Sequence, residues 1–475
     1  MKPFASVKDF TKEELNMYEP KLTIGVLLTR RSFLDIQTAA AEKERVMKII
    51  RQIHPDIVTL VDVENICTHG MIESDIFSPA VVQKFRASHV DGLFVPFCDF
   101  GDEGSVADVA SQLGVPVLVW GARDQEPNSA THRGRDTQCG MFAVTKVLRR
   151  YGVKYSYIFN VEPESDEFRQ GFDRFVRVVC ILKDLKNLRI GKIGEHPGPF
   201  RSVMTNEARL MKRFGIQTVA ISPTVLQMTM NKILEAGIDP QELQNLSARF
   251  DCSAVQEETL KKIVAMKKAV VKMLEDARCT AAAIECWPSC AIMGMLVCAV
   301  VGELTDMGLP VSCETDINRA ITMVILRACM LGKEEEFLAD LTIRHPENDN
   351  AELLWHCGPF AYSLKDPASP AKLVGGQEQF QLKQGNLTLC RFGDDEDGYY
   401  LFAGEATTTT GPETTGTYVW MQTENWKAWE EKLMFGPYIH HLGGLYGNMF
   451  PVLREVARYL DLKFDGVGEC GPHCL

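Results

Sequence analysis

Hydrophobic positions in the first third of the chain fall into short β-branched runs separated by stretches with helical spacing. LTIGVLLT (22–29) is nearly continuous in apolar residues and predicts a buried strand, AEKERVMKIIRQI (41–53) an amphipathic helix, and IVTLVDV (57–63) a second strand. The rhythm continues with a helix over 78–88, a strand VDGLFVPF (90–97), a helix SVADVASQLG (105–114) and a strand VPVLVWG (115–121). Strands joined by single helices predict a parallel, doubly wound sheet, and such sheets bind ligands beyond the carboxyl ends of their strands. The segment DFGDEG (99–104) follows one strand directly and opens a helix, which places it at such an end.

A second α/β rhythm starts near residue 166 with a long helix (166–186), a strand LRIGKIG (188–194), the loop HPGPF (196–200), a helix through Arg213 and a strand QTVAIS (217–222). A helix near 255–276 leads to strand AAAIEC (281–286), an apolar helix (290–305) and strand PVSCE (310–314). The region 363–376 is rich in Pro, Gly and Ala and reads as a connection. Beyond it FQLKQGNLTLCRFG, GYYLFAGEA and TTGTYVWMQ are β-rich runs split by Gly, Asp and Thr. The pattern therefore predicts an α/β protein: two doubly wound parallel-sheet α/β domains (1–165 and 166–350) followed by a smaller antiparallel, β-rich, barrel-like C-terminal domain (351–475).

Charge and composition exclude several functions. The 475 residues carry 51 Lys+Arg against 63 Asp+Glu, a net charge of −12 with no basic cluster, which argues against nucleic acid or an anionic membrane as partner. The longest nearly uncharged run, 286–302, is shorter than the ~20 residues that span a bilayer. The first twenty residues have acidic groups where a signal peptide needs an apolar stretch, so a cytoplasmic location is expected. Fifteen cysteines, mostly inside apolar segments, are expected to be reduced and buried, and the tail thiols Cys470 and Cys474 to be an exposed polar end.

Three clusters could carry chemistry. Glu314 and Asp316 end a buried strand in SCETD; Asp340 and His356 lie 26 and 16 residues further on (314→340→356); and His440-His441 are followed by two glycines that would let a ligand approach the backbone. Carboxylates mixed with imidazole suit Mn²⁺ or a similar divalent ion, whereas no Cys/His spacing suggests structural zinc. Ordinary structural roles compete in each case, because a strand-end carboxylate often caps the next helix. Adjacent residues on a strand point to opposite faces, so only one of His440 and His441 is expected to face a given site. Asp99, Asp102 and Glu103 are acidic enough for a second cation, with capping of the following helix the competing role.

These residues resemble the ketol isomerases of the L-fucose isomerase and L-arabinose isomerase group. The N-terminal likeness lies in VDGLFVPFCDFGDEGSVADVASQLGVPVLVWG (90–121), in RDTQCG (135–140), and in GEHPGPF (194–200) with Asn206-Glu207. In the second half the order of elements agrees: Glu314 in CETD, Asp340 in LADL, His356, and a histidine near the C-terminus, His441 or its neighbour His440. The resemblance implies a metal-dependent aldose–ketose isomerase acting on a pentose or 6-deoxyhexose, such as L-fucose, D-arabinose or L-arabinose, through an enediol. It implies Glu314, Asp340, His441 and His356 as ligands of Mn²⁺, or of Co²⁺ or Mg²⁺, with Glu314 and Asp340 as the acid/base pair. Substrate contacts carry over less securely. Glu285, Trp287, His440 and Arg30 (or Arg31) are candidates, and Glu285 and Trp287 could equally serve packing. The resemblance further implies a homo-oligomer, a hexamer, in which a neighbouring subunit closes each site. Two other readings compete: a non-catalytic sugar-binding or sensor protein, which gives no reason for these four side chains in this order, and a metal-dependent aldolase or lyase using an enediolate.

Overall fold

A computed structural model describes residues 18–126, 134–287 and 294–467, so the Cys470–Cys474 tail lies outside the described residues. The described residues divide into two compact units, one of residues 20–183 and one that begins at residue 184 and includes residues 18–19.

In the smaller unit, β1 (Leu22–Val26), β2 (Val58–Val61), β3 (Gly92–Phe97), β4 (Val117–Gly121) and β5 (Tyr155–Tyr157) form one sheet in the order β2-β1-β3-β4-β5. Every pairing is parallel. All six residues of β3 are buried, as expected when helices cover both faces. Asp35 caps the helix Ile36–Ile50 by accepting the N–H of Thr38, and Asp102 caps Glu103–Leu113 by accepting that of Ser105 at 2.9 Å. Asp102 is thus a cap, the structural role weighed for it above. Asp99 is occupied at Oδ1, which accepts the backbone N–H of Arg31 (2.7 Å) and of Gly101 (2.9 Å), while its buried Oδ2 has no partner among the described residues. The helix Asp166–Lys186 lays Phe168 and Phe172 on Phe94 and Trp120, with ring centres 4.7–6.5 Å apart. Each ring buried there is worth about 1.5–3 kcal/mol.

The larger unit begins with a four-stranded parallel sheet, order β7-β6-β8-β9, built from β6 (Arg189–Ile193), β7 (Gln217–Ile221), β8 (Ala281–Ile284) and β9 (Val311–Cys313). Two helices, Pro223–Ala236 and Pro240–Arg249, fill the stretch after β7 that the hydrophobic pattern leaves unassigned. The apolar helix expected over 290–305 is described as Cys298–Asp306.

Nine further strands form a mostly antiparallel sheet: β10 (Phe337–Arg344), β11 (Ala351–His356), β12 (Lys372–Val374), β13 (Gln377–Gln381), β14 (Asn386–Asp394), β15 (Tyr399–Thr409), β16 (Thr417–Gln422), β17 (His441–Tyr446) and β18 (Lys463–Val467). The order β16-β11-β10-β17-β14-β15 returns to β16 through a β15–β16 pairing, so six strands close into a barrel and leave no open edge there. The expected α/β fold with an antiparallel, barrel-like C-terminal part is therefore observed. Between barrel and parallel sheet runs the helix Ile317–Met330, touching β8, β9, β14 and β17, with all fourteen of its residues buried. Mostly apolar, with Arg319 and Arg327 paired to Asp340 and Asp184, it serves as the core of both layers. β17 accommodates it through Gly443, where a Cβ would sit 2.6 Å from Leu326 and 3.0 Å from Thr322. The glycines after His441 thus admit this helix and the Phe337 ring, not the ligand expected from the sequence.

Candidate active site

β9 ends at Cys313, and the next two residues, Glu314 (φ 63°) and Thr315 (φ 50°), are both left-handed. Each such non-glycine residue costs about 1–3 kcal/mol and persists only where surrounding bonds hold it. They do here: Thr315 N–H donates to Ile284 O (3.1 Å), Thr315 Oγ1–H to Glu195 O (3.0 Å), and Ser312 Oγ–H to Asp316 O (2.8 Å). The reversal ends at Asp316, which caps the buried helix by accepting Arg319 N–H at 2.9 Å.

Across the barrel, Asp340 on β10 pairs directly with His441 on β17, and on its other side with Trp355 on β11, the residue before His356. Five predicted side chains thereby converge. His441 Nε2 lies 3.2 Å from Glu314 Oε2 and 3.9 Å from Asp340 Oδ1, and His356 Nε2 lies 3.9 Å from Asp340 Oδ2. Asp340, His440 and His441 each offer a ligand atom, all within 4.8 Å of one another. Both histidines of the pair therefore face the same point, contrary to the strand-alternation argument. The reason is local: His440 precedes the first residue of β17 and is free of its alternation, and the two rings lie 4.4 Å apart.

The electrostatics are uneven. Burial pushes the Glu314 carboxyl up to about 7, against the opposing pull of Arg319 and His356. Burial would raise Asp340 too, but His356, Arg319 and His441 outweigh it and hold the carboxyl down at about 2. Burial and the nearby Arg319 bring His441 down to about 4, so its ring is neutral. Asp316, fully buried, is held far below the usual carboxylate range by Arg391 and His441 despite its desolvation. A neutral His441 that donates Nδ1–H to Asp316 (2.9 Å) leaves a lone pair on Nε2, facing a Glu314 oxygen. Among the described residues neither Nε2 nor Glu314 Oε2 has a hydrogen-bond partner, and both are buried. Two acceptors 3.2 Å apart repel unless a proton or a cation lies between them, and this donor set fits a divalent cation.

The remaining predicted contacts are more scattered. Glu285 follows β8, and its Oε2 accepts the N–H of Glu195 at 3.2 Å, bracing the 194–196 turn. Trp287, 39% exposed, packs edge-on to Phe200 with centroids 5.8 Å apart, and Phe200 in turn packs edge-on to His441 and His440. Arg30 belongs to the smaller unit, where it pairs with Glu73 and donates to the carbonyls of Ser32 (3.2 Å) and Leu34 (3.1 Å). Two buried arginines went unnoticed in the sequence. Arg319 Nη2 donates to Asp340 Oδ1 at 2.8 Å, and Arg391 grips Asp316 through Nη1 (2.8 Å) and Nη2 (3.0 Å). Their signal was present, since a cation inside a largely apolar helix or strand must find a buried carboxylate. Every described cysteine is a free thiol; Cys313 flanks the site, whereas Cys357 meets it through His356, its Sγ 3.2 Å from the ring Nδ1.

Residues 25–186 match the model of the family described as fucose/sulfoquinovose isomerase, N-terminal domain. The chain is 27% identical over 397 residues to sulfoquinovose isomerases of Priestia aryabhattai and Priestia megaterium, covering 80% of this chain and 86% of each relative. It is 28% identical over 334 residues to the sulfoquinovose isomerase of Alkalicoccus urumqiensis, covering 67% of this chain and 73% of that one. Fold, converging carboxylates and imidazoles, and these likenesses together define an aldose–ketose sugar isomerase. Over residues 25–186 the chain is similar to the fucose/sulfoquinovose isomerases, and its likeness to sulfoquinovose isomerases spans two thirds of the chain or more.

Proposed function

We propose that the protein is a divalent-cation-dependent isomerase of a sugar modified at C6, with Glu314 and Asp340 as its acid/base pair. The observation that carries the reading is the pair of buried, unpartnered acceptors, His441 Nε2 and Glu314 Oε2, 3.2 Å apart beside Asp340. Glu314, Asp340 and His441 would hold the cation, with His440 and His356 at its margin. Mn²⁺ suits this mixed oxygen and imidazole set, and when bound it would offset charge developing on the sugar's O1 and O2.

Moving a proton between C2 and C1 through an enediol needs a group that takes and returns it near neutral pH. Glu314 Oε2, buried and 3.2 Å from His441 Nε2, is placed for that exchange. Asp340 stays ionised beside Arg319, whose guanidinium keeps its carboxylate oriented. Phe200 and Trp287 offer an aromatic wall for the apolar face of a sugar ring.

For the substrate, the names of the relatives point to sulfoquinovose, a 6-deoxy sugar bearing a sulfonate, ahead of L-fucose, D-arabinose and L-arabinose. The family resemblance supports a hexamer in the cytoplasm. No helix among the described residues is long and apolar enough to cross a membrane. The test is to strip the protein with a chelator, add back Mn²⁺, Co²⁺ or Mg²⁺, and offer these four sugars. Cation-dependent ketose formation, fastest with sulfoquinovose, is expected. Turnover unaffected by chelation would overturn the cation, and carbon–carbon cleavage products would favour an aldolase or lyase.

A further inference from the structure

Asp316 is fully buried and cannot itself reach solvent or substrate, yet four donors converge on it. Arg391 grips both oxygens, Arg319 N–H holds Oδ1 at 2.9 Å, and His441 Nδ1 lies 2.9 Å from Oδ2. A carboxylate gripped this way cannot rotate, and being ionised it only accepts. The ring proton of His441 must therefore sit on Nδ1. His356 is held differently: the backbone N–H of Cys357 donates to its Nδ1 at 2.9 Å, the Cys357 Sγ lies 3.2 Å from the same nitrogen, and Arg319 Nη1 faces its Nε2 at 3.4 Å. Of these two rings, only His441 anchors one nitrogen on a carboxylate and turns the other, bare, toward Glu314 and Asp340.

We infer that Asp316, locked by Arg391, is the positioning residue that holds His441 as its Nδ1–H tautomer and so presents the Nε2 lone pair to a divalent cation. The inference rests on the reading of Glu314, Asp340 and His441 as cation-holding residues. The carbonyl of an amide at position 316 could still accept, but its NH₂ could equally donate to Nδ1 and reverse the tautomer. Partners of this kind are typically worth about 10–100-fold in metal affinity.

Titration calorimetry with Mn²⁺ on the chelator-stripped full chain tests it, through wild type, Asp316→Asn, His441→Gln and the double variant. Asp316→Asn is expected to weaken Mn²⁺ about 10–100-fold, and to add almost nothing once His441 is already Gln. Equal losses in both backgrounds would overturn the inference, because Asp316 would then not act through His441; so would unchanged affinity in Asp316→Asn. Should Asp316→Asn fail to fold, Arg391→Lys keeps the charge and loosens the two-point grip. A several-fold weaker Mn²⁺ affinity at unchanged melting temperature supports the inference, and unchanged affinity overturns it. Wild type that binds no Mn²⁺ at all would instead sink the underlying reading of the cation site.

Discussion

Glu314 carries two burdens at once, a left-handed backbone and a buried carboxyl raised to about 7, and both come from the position it occupies. The reversal after β9 swings its side chain toward His441, away from the sheet-end solvent where a strand-end carboxylate would ordinarily sit. Glu314→Gln keeps the shape and the neutral charge of the protonated form, so the fold should survive. Turnover should fall by about 10²–10⁴-fold with the melting temperature shifted by only a few degrees, because a proton-transfer group has been removed. Retained turnover in a sugar isomerisation assay would remove Glu314 from the acid/base pair. Residue identity at the site was largely legible, since Glu314, Asp340, His356 and His441 stand in recognisable order. The pairing of Arg391 with Asp316 was not, because it joins positions 75 residues apart that only barrel closure brings together.

At the scale of elements, two features of the barrel region make distinct predictions. Gly444 on β17 faces the Phe337 ring, itself packed against Phe360 (5.4 Å) and Tyr446 (6.2 Å), so no rotamer change can clear room for a methyl group. Gly444→Ala should cost about 1–3 kcal/mol by overpacking, read as a lowered urea midpoint. Glu336, immediately before β10, is buried with an unpartnered Oε1, and burial pushes its carboxyl up to about 8 against the pull of Arg327. A raised carboxyl contributes stability that is complete below the ordinary carboxylate range and is lost as pH climbs through about 8. The loss is on the order of 5 kcal/mol. Glu336→Gln should therefore gain on wild type steadily in urea denaturation from pH 5.5 to 8.5, and parallel profiles would refute the assignment. The helix Ile317–Met330 was readable as apolar but not as central. Periodicity reports how much of a surface is apolar, not which two layers will claim it.

At the scale of the whole chain, the alternation of strands and helices was enough to read both parallel sheets, because each βα step is local. The closed barrel was not readable to the same depth. β10 pairs with β17 about a hundred positions later, and neither strand carries a mark of its partner. That topology has a consequence for cation binding, because every proposed ligand belongs to the larger unit, yet the ligands come from three places far apart in sequence. A cation held by all three should tie together the turn around 312–318, strand β10 around 338–342 and the start of β17 around 438–443. Amide hydrogen exchange, read by mass spectrometry on chelated and Mn²⁺-loaded protein, should slow in these three segments together, because opening any one of them would release the ion. Mn²⁺ at about a hundred times its dissociation constant contributes about 2.7 kcal/mol, enough to slow exchange roughly a hundredfold where opening requires cation loss. Protection confined to a single segment would mean that the ion is held at the surface by one strand, and a barrel-closing site of Glu314, Asp340 and His441 would then be wrong.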